Sequence, residues 1–180
     1  MKKISVMIPC YNEEENVVPM SEAIVSLFET ELTKYDYELL FIDNNSTDST
    51  RSLLREICAK NSHIKAIFNA KNFGQFNSPY YGMCQTTGDC TIGMCCDFQD
   101  PVELIPQFIQ EWEKGYKIVC PIKNSCNDPS PSTESSTGAI PAINQSQYIN
   151  FKTRYIKAMT MQTTAITNPI IVAILNPTLV

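Results

Sequence analysis

The chain has almost no histidine and no cysteines at the C-x-x-C spacing, although its cysteine count is high. Among 180 residues there is one histidine, His63, and the eight cysteines contain no C-x-x-C pair. Structural zinc sites need paired ligands at short spacing, so a zinc centre is not expected. Most of the cysteines lie in apolar stretches, where a free thiol packs as a small hydrophobic group. This usage is typical of a reducing compartment, and we expect a cytoplasmic protein.

Long apolar runs and basic runs are also missing. The most apolar segment, 170–175, is far shorter than the roughly 20 residues of a membrane span. The apolar run 4–8 imitates a secretory signal, but it stops at Pro9, and acidic residues follow where a cleavage site is needed. A net charge of −5 and a pI near 4.9 argue against a nucleic-acid partner. We expect a soluble protein that is at most peripheral to the inner face of the plasma membrane.

The glycine-rich loops of the common nucleotide-binding folds are absent. No P-loop occurs and no G-x-G-x-x-G follows the first apolar run, which excludes an ordinary ATPase or Rossmann site. The chain has instead a regular alternation of apolar runs and amphipathic helical stripes. The apolar runs predict strands over 3–9, 37–42, 64–68, 91–96 and 117–120. This order is typical of an α/β protein with a doubly wound, mostly parallel sheet.

Two helix starts are predicted from capping signals. Asn77 is expected to cap the helix before the fourth strand, with Pro79 in its first turn. The helix after the fourth strand is expected over 102–114, with Asp100 as its N-cap and Glu103 closing a capping box.

The composition changes after the predicted fifth strand. Residues 124–147 are rich in Ser, Thr, Pro and Asn and lack apolar periodicity, which is typical of a loop or a disordered segment. A weak helical stripe over 148–160 predicts a short helix, and 161–180 has no firm pattern. We therefore expect an α/β domain over 1–121 and an irregular tail over 122–180.

Polar side chains follow each of the first four predicted strands. The carboxyl ends of parallel strands meet at one edge of a sheet, where α/β proteins bind ligands. Each group has a plainer interpretation, since Asn and Asp suit tight turns and acidic residues suit helix starts. Their occurrence at four corresponding strand ends favours a binding site, formed by Tyr11, Glu13, Asp43, Lys71 and Asp97.

A ligand with a base, a sugar and phosphates suits this set of side chains. Asp43 can accept hydrogen bonds from a nucleobase imide or a ribose hydroxyl, and Tyr11 can stack on a planar base. Asp97 can hold Mg²⁺ or Mn²⁺, which take oxygen ligands and share them with phosphates. Lys71 can approach a phosphate as a point charge, although a solvated surface lysine is the plainer interpretation.

Four segments, in order, resemble the motifs of family 2 glycosyltransferases with the GT-A fold. Residues 6–16 (Val-Met-Ile-Pro-Cys-Tyr-Asn-Glu-Glu-Glu-Asn) are similar to the amino-terminal motif, and 41–50 to the second motif, commonly Asp-Asp-Gly-Ser-x-Asp. Residues 72–82 resemble the third conserved region, and 97–116 resemble the block that contains Asp-x-Asp. The subgroup that the chain resembles most is the polyprenyl-phosphate sugar transferases, which include dolichol-phosphate mannose synthases and bactoprenol glucosyltransferases.

The resemblance implies a role for each matched residue. Asp97 is the implied ligand of Mg²⁺ or Mn²⁺ on the diphosphate, and Gln99 lines the sugar pocket. Asp97 and Gln99 are therefore the expected catalytic residues. The residues expected to bind the nucleotide-sugar donor are Pro9, Tyr11, Glu13, Asp43, Lys71 and Asp97.

The implied reaction moves a hexose from a UDP-linked sugar to a polyprenyl phosphate or a cell-envelope glycan. A lipid phosphate is already anionic and needs no general base, and the metal stabilises the departing nucleoside diphosphate. Two alternatives stay open. One is a non-catalytic nucleotide-sugar-binding protein or a truncated fragment of such an enzyme, and the other is a generic α/β domain whose polar strand ends are only turns.

Three departures from the family pattern bear on these expectations. Cys95 stands where the first Asp of Asp-x-Asp is usual, and a thiol is a poor ligand for Mg²⁺. Asn44 and Asn45 replace the usual Asp and Gly, so the contacts to the base are expected to differ. Residues 122–180 resemble no part of the acceptor-side half of family members, which favours the alternative in which that half is missing.

Overall fold

The computed structural model describes residues 1–119 of the chain. Strands and helices alternate in this part, so the predicted α/β class is confirmed. The predicted tail and its helix over 148–160 lie outside the described residues. The strands are β1 (Lys3–Cys10), β2 (Asp36–Asp43), β3 (Ile64–Phe68) and β4 (Cys90–Gly93), and the helices are α1 (Val17–Thr30), α2 (Thr50–Lys60), α3 (Gly74–Cys84) and α4 (Ile105–Glu113).

The four strands form one parallel sheet in the order β3-β2-β1-β4. The chain adds β2 and β3 on one side of β1 and then returns to place β4 on the other side. This reversal is the arrangement of a doubly wound sheet, as predicted, and it creates a switch point between β1 and β4. Ligands of open α/β sheets bind at the carboxyl ends of the strands beside such a point.

A large and a small apolar core cover the two faces of the sheet. Side chains alternate between the faces along a strand, so Ile4, Val6 and Ile8 of β1 face the large core, whereas Met7 faces the small one. The large core also contains the buried faces of α1 and α4, and Met83 of α3 packs in the small core. None of the helices in the described part is long and apolar enough to cross a membrane.

The predicted start of α3 is wrong. The helix begins at Gly74, so Pro79 lies inside it instead of in the first turn. Asn77 does not cap the helix, because its Nδ2 donates a hydrogen bond to the Phe73 carbonyl at 3.0 Å. Proline lacks an N–H, so one intrahelical hydrogen bond is missing at this point.

The segment around β4 also differs from the prediction. β4 ends at Gly93 instead of at residue 96, which lengthens the loop that follows. Asp100 is not an N-cap, because Pro101 occupies that position and no side chain caps the short 3-10 turn after it. α4 itself begins only at Ile105. Of the predicted fifth strand, the described residues contain a single β-bridge position, Val119.

Candidate functional site

Three strands end level with one another at the carboxyl edge of the sheet. In the parallel ladder, Cys10 of β1 pairs with Asp43 of β2, and Asp43 pairs with Phe68 of β3. The ladder continues for one step into the loops, where the Asn44 N–H donates to the Cys10 carbonyl and the Asn69 N–H to the Asp43 carbonyl, both at 2.9 Å. The loops after these three strands therefore leave the sheet at one level and form a common rim.

Hydrogen bonds between side chains and backbone tie the loop after β1 to the loop after β2. Asn12 Oδ1 accepts a hydrogen bond from the Thr47 N–H at 2.8 Å, and the Asn12 N–H donates to Ser46 Oγ at 2.9 Å. The Glu13 N–H donates to Thr50 Oγ1 at 2.8 Å. Short polar side chains thus supply the partners that backbone groups in these turns lack, which explains the Asn, Ser and Thr content of both loops.

Three non-glycine residues in the loops after β1, β2 and β4 have a left-handed backbone conformation. The non-glycine residues with positive φ in the described part are Asn12 (56°), Asn45 (69°) and Phe98 (57°), and each lies in a loop that follows a strand of the sheet. Asn tolerates this conformation, but a bulky aromatic residue rarely adopts it. Strained backbone persists mainly at functional sites, so Phe98 marks the loop after β4 as part of the candidate site.

Asp43 lies at the rim but is fully buried. Its Oδ1 accepts a hydrogen bond from the Ser46 N–H at 3.1 Å, and its Oδ2 lies 3.4 Å from Nε of Arg51. The Arg51 guanidinium also donates to Asn45 Oδ1 at 3.3 Å. Since this carboxylate has no exposed surface, it can contact a ligand only when the turn after β2 or the Arg51 side chain moves.

Arg51 is a site residue that the sequence analysis missed. Besides its ion pair with Asp43, its guanidinium lies 5.2 Å from the centroid of the Phe68 ring, and the guanidinium of Arg55 lies 4.5 Å from the same centroid. The sequence feature that could have indicated Arg51 is its position as a single basic residue directly after a run of acidic, amide and hydroxyl side chains. Its partner becomes evident only when β2, β3 and α2 are placed side by side.

Two buried thiols, Cys10 at the end of β1 and Cys96 in the loop after β4, lie beside predicted site residues. Burial raises the pKa of the Cys10 thiol, and interactions with Cys96, Asp43 and Glu13 raise it further. Burial likewise raises the pKa of the Cys96 thiol, with further increases from Glu13 and Asp97. Cys10 pairs with Asp43 in the parallel ladder, and Asp97 directly follows Cys96 in the chain. Both thiols remain protonated at neutral pH and serve as small apolar groups.

Asp97 and Gln99, the two predicted catalytic residues, are in contact. Asp97 is exposed, its Oδ1 accepts the Gln99 N–H at 3.2 Å, and its Oδ2 accepts a hydrogen bond from the Gln99 side-chain amide. Residues 1–119 contain no cluster of three or more His, Cys, Asp or Glu side chains suited to a metal ion. A single carboxylate still fits Mg²⁺, because that ion is commonly held by one or two carboxylates together with substrate phosphates.

The other predicted residues differ in accessibility. Tyr11 is 47% exposed, whereas Pro9 is half-buried within β1 and Glu13 is half-buried after it. Lys71 is exposed, with its Nζ 5.2 Å from the centroid of the Phe73 ring. Tyr11 and Lys71 can therefore meet a ligand without a change in the rim.

The chain belongs to glycosyl transferase family 2, whose family model matches residues 5–173. It is 36% identical over 117 residues to the bactoprenol glucosyl transferase of Shigella phage SfX, and the match covers 65% of this chain and 38% of that protein. It is 35% identical over 117 residues to the prophage bactoprenol glucosyl transferase homolog of Escherichia coli strain K12, again covering 65% of this chain and 38% of that protein. The predicted family is confirmed.

The fold also resembles a solved glycosyltransferase structure. The crystal structure of S. aureus TarS superposes with a TM-score of 0.50 at 20% identity, covering 71% of this chain and 38% of that chain. Identity this low concerns the fold alone, and it agrees with the predicted GT-A-like architecture. The chain spans 38% of the length of the two bactoprenol glucosyl transferase relatives.

Proposed function

We propose that the chain binds a UDP-linked hexose at the rim and transfers the sugar to a polyprenyl phosphate or a cell-envelope glycan. The observation that carries this proposal is the sheet order of a family 2 chain, in which Asp43 ends β2, Glu13 follows β1 and Asp97 follows β4, three neighbouring strands. The names of the two relatives favour a lipid-phosphate acceptor. We assign donor binding to residues 1–121 and the reaction to the cytoplasmic side, peripheral to the inner face of the plasma membrane.

Each part of such a donor has a chemical partner on the rim. In the proposed complex, Tyr11 stacks on the base, and Glu13 and Asp43 accept hydrogen bonds from the base or the ribose. Lys71 neutralises a phosphate charge. Pro9 restricts the backbone at the end of β1, which supports the base from below. Asp43 can bind the donor only after it loses its contact with the Ser46 N–H or with Arg51. Donor binding is therefore expected to rearrange the turn after β2.

The chemistry at the diphosphate is assigned to the loop after β4. Asp97 would hold Mg²⁺ or Mn²⁺ as one carboxylate ligand, and the bound ion would stabilise the charge of the departing nucleoside diphosphate. Gln99, through its contact with Asp97, orients this carboxylate and lines the sugar pocket. The oxygen of a lipid-phosphate acceptor is anionic, so it attacks the sugar without a residue that removes a proton.

The second candidate function is binding of a nucleotide sugar without transfer, by a binding protein or a truncated fragment of a transferase. Cys95 favours this candidate, because it leaves Asp97 as the only carboxylate of the family's usual Asp-x-Asp. A thiolate is too soft a ligand to replace a carboxylate on Mg²⁺. Both candidates require donor binding, and they differ in turnover.

Calorimetry of the full chain with UDP and Mn²⁺ tests donor binding. We expect Asp97→Asn to weaken Mn²⁺-dependent UDP binding by about tenfold or more, since it removes a charged ligand, equivalent to at least about 1.4 kcal/mol. Asp100→Asn makes the same change three residues further along and should bind as the wild type does. The proposal fails when UDP gives no heat, or when Asp97→Asn binds UDP as tightly as Asp100→Asn.

Release of UDP from a UDP-hexose separates the two candidates. The transferase predicts release that depends on added polyprenyl phosphate and is abolished by Asp97→Asn. The binding protein predicts donor binding without release at any acceptor concentration. Wild-type protein that binds UDP but shows no acceptor-dependent release would favour the second candidate.

A further inference from the structure

Asn44 is buried in the rim, and all of its side-chain hydrogen-bonding groups are engaged. It is 7% exposed, and its Nδ2 donates to Asn72 Oδ1 at 2.9 Å and to the Gly74 carbonyl at 3.3 Å. Its Oδ1 accepts hydrogen bonds from Asn69 Nδ2 at 3.2 Å and from the Phe73 N–H at 2.9 Å. All four partners belong to the loop between β3 and α3 or to the first residue of α3. Asn44 is therefore turned toward this loop and away from solvent.

These bonds determine the conformation of the loop that carries Lys71. Asn72 Oδ1 also accepts the Gly74 N–H at 2.7 Å, at the positive φ of 86° where α3 begins. Asn69 Nδ2 also donates to Ser78 Oγ at 2.9 Å, which joins the loop to the next turn of α3. Lys71 stands between two anchored residues, so the position of its backbone follows from the contacts of Asn44.

The contacts of Asn44 require a donor as well as an acceptor in the same side chain. A carboxylate at this position would direct an oxygen at Asn72 Oδ1 and at the Gly74 carbonyl, which are both acceptors. A carboxylate oxygen that faces two acceptors repels them, and both hydrogen bonds are lost. The Asp that is common in the family motif therefore does not suit this loop, whereas Asn44 and Asn72 form a complementary pair.

We propose that Asn44 is a positioning residue that holds Lys71 where it meets the diphosphate of the donor. This inference rests on the proposed function, because the diphosphate belongs to the nucleotide sugar. The loop between β3 and α3 contributes Lys71 to the phosphate and no assigned residue to the nucleoside. Asn44 thus acts on phosphate binding and not on nucleoside binding.

Calorimetry of the full chain with UDP and with uridine tests this separation. Asn44→Asp is expected to weaken UDP binding about tenfold and to leave uridine binding unchanged, because a lost charge-assisted contact has an effect of that size. Lys71→Met is likewise expected to weaken UDP binding and to leave uridine binding unchanged. The Asn44→Asp, Lys71→Met double variant should bind UDP no more weakly than Lys71→Met, because both changes remove the same contact with the diphosphate. Gln75→Glu is an exposed amide-to-acid change in the first turn of α3, and it controls for the added charge.

A second variant avoids the risk of misfolding at a buried position. Asn72→Ala, at an exposed position, removes the acceptor shared by Asn44 Nδ2 and the Gly74 N–H, and the same split is expected. Equal UDP binding by Asn44→Asp, Asn72→Ala and Gln75→Glu would overturn the positioning role and leave donor binding intact. Additive losses with Lys71→Met, or weaker uridine binding by a folded variant, would also overturn it. Absence of UDP binding by the wild type would overturn the proposed function and this inference together.

Discussion

Glu38 is a buried carboxylate near the start of β2, at the opposite end of the strand from Asp43. It is 2% exposed, and it accepts hydrogen bonds from Ser5 Oγ at 2.6 Å, from Lys65 Nζ at 3.0 Å, and from both the N–H and the hydroxyl of Thr87. These partners lie in β1, in β3 and in the turn before β4. A buried charge is tolerated only when it is paired and hydrogen-bonded, and here one carboxylate on β2 joins β1, β3 and the turn before β4.

We predict that acid destabilises the fold through Glu38. Burial raises the pKa of this carboxyl, but hydrogen bonds from Ser5, Thr87 and Lys65 outweigh burial and lower the pKa to about 2. A lowered pKa in the folded state stabilises the protein above the ordinary value of 4.5, and that stability is lost as the pH falls toward 2. The expected loss is roughly 3 kcal/mol, at about 1.36 kcal/mol for each pKa unit. Urea unfolding at a series of pH values measures it.

Glu38→Gln provides the test of this assignment. The amide keeps the size of the side chain but loses the charge, so we expect the variant to be less stable at neutral pH by about 2 to 3 kcal/mol, with a flatter pH dependence. Glu22→Gln, at an exposed position of α1, should keep the wild-type profile. A Glu38→Gln protein that loses stability in acid as steeply as the wild type would assign the effect to other carboxyls.

At the candidate site, the sequence alone was enough to predict the location of residues that directly follow the end of a strand. Tyr11 and Asp97 were expected in the loops after β1 and β4, and both are exposed there. Asp43 was also expected at the rim, but it is buried and forms an ion pair with Arg51, which lies at the start of α2. The contacts of Asn44 involve side-chain and backbone groups that lie 25 to 30 residues further along the chain, and no local pattern indicates such partners.

Among the elements, the strands in the middle of the sheet were the most predictable. β1 and β2 are buried on both faces, so they appear in the sequence as continuous apolar runs. The end of β4 was less predictable, because the apolar run continues through Met94 and Cys96, which are buried in the loop after Gly93. Apolar residues indicate burial, and burial in this loop does not require pairing with β1.

Local capping signals failed where contacts from other elements set the start of a helix. α3 starts early because Asn72 and Asn44 hold the backbone at Gly74 in the conformation that begins the helix. The helix after β4 starts late because Val102–Leu104 form a 3-10 turn, in which the Leu104 N–H donates to the Pro101 carbonyl at 3.1 Å. Both cases are contacts between distant or turn residues that override a local preference.

Gly88, in the turn before β4, lies too close to β1 for any side chain. A Cβ atom on it would lie 2.6 Å from Ser5 Oγ, 2.7 Å from Ser5 N and 2.8 Å from the Lys3 carbonyl oxygen. Two of these atoms belong to the backbone, so β4 must move away from β1. We predict that Gly88→Ala lowers the free energy of unfolding by about 1 to 3 kcal/mol in urea titrations.

The matched control for this element is Gln85→Ala, at an exposed position near the end of α3. We expect it to change the free energy of unfolding by no more than about 0.5 kcal/mol. Equal stability of the two variants would show that β4 can shift without losing its pairing with β1. The close approach at Gly88 would then contribute nothing to the free energy of unfolding.

On the scale of the whole molecule, exposed aromatic side chains are concentrated along α3. Phe73, Phe76 and Tyr81 are 45%, 56% and 51% exposed, and together we name them the α3 aromatic stripe. In the described part of the chain α3 packs on the small core, which is built around Met83, Met7 and Ile42. Exposed apolar side chains that are grouped on one part of a surface favour association with another surface.

We predict that the full chain self-associates reversibly through the α3 aromatic stripe. Sedimentation velocity over a range of concentrations should show a sedimentation coefficient that rises with concentration, because association removes the aromatic rings from water. A Phe76→Ser, Tyr81→Ser double variant should associate at least about tenfold more weakly, since each exposed ring contributes apolar area to the contact. Tyr116→Ser, which changes a 38% exposed tyrosine beyond α4, is the control and should associate as the wild type does. A wild-type chain that sediments as a monomer at every concentration, or a double variant that associates like the control, would show that the stripe makes no contact between molecules.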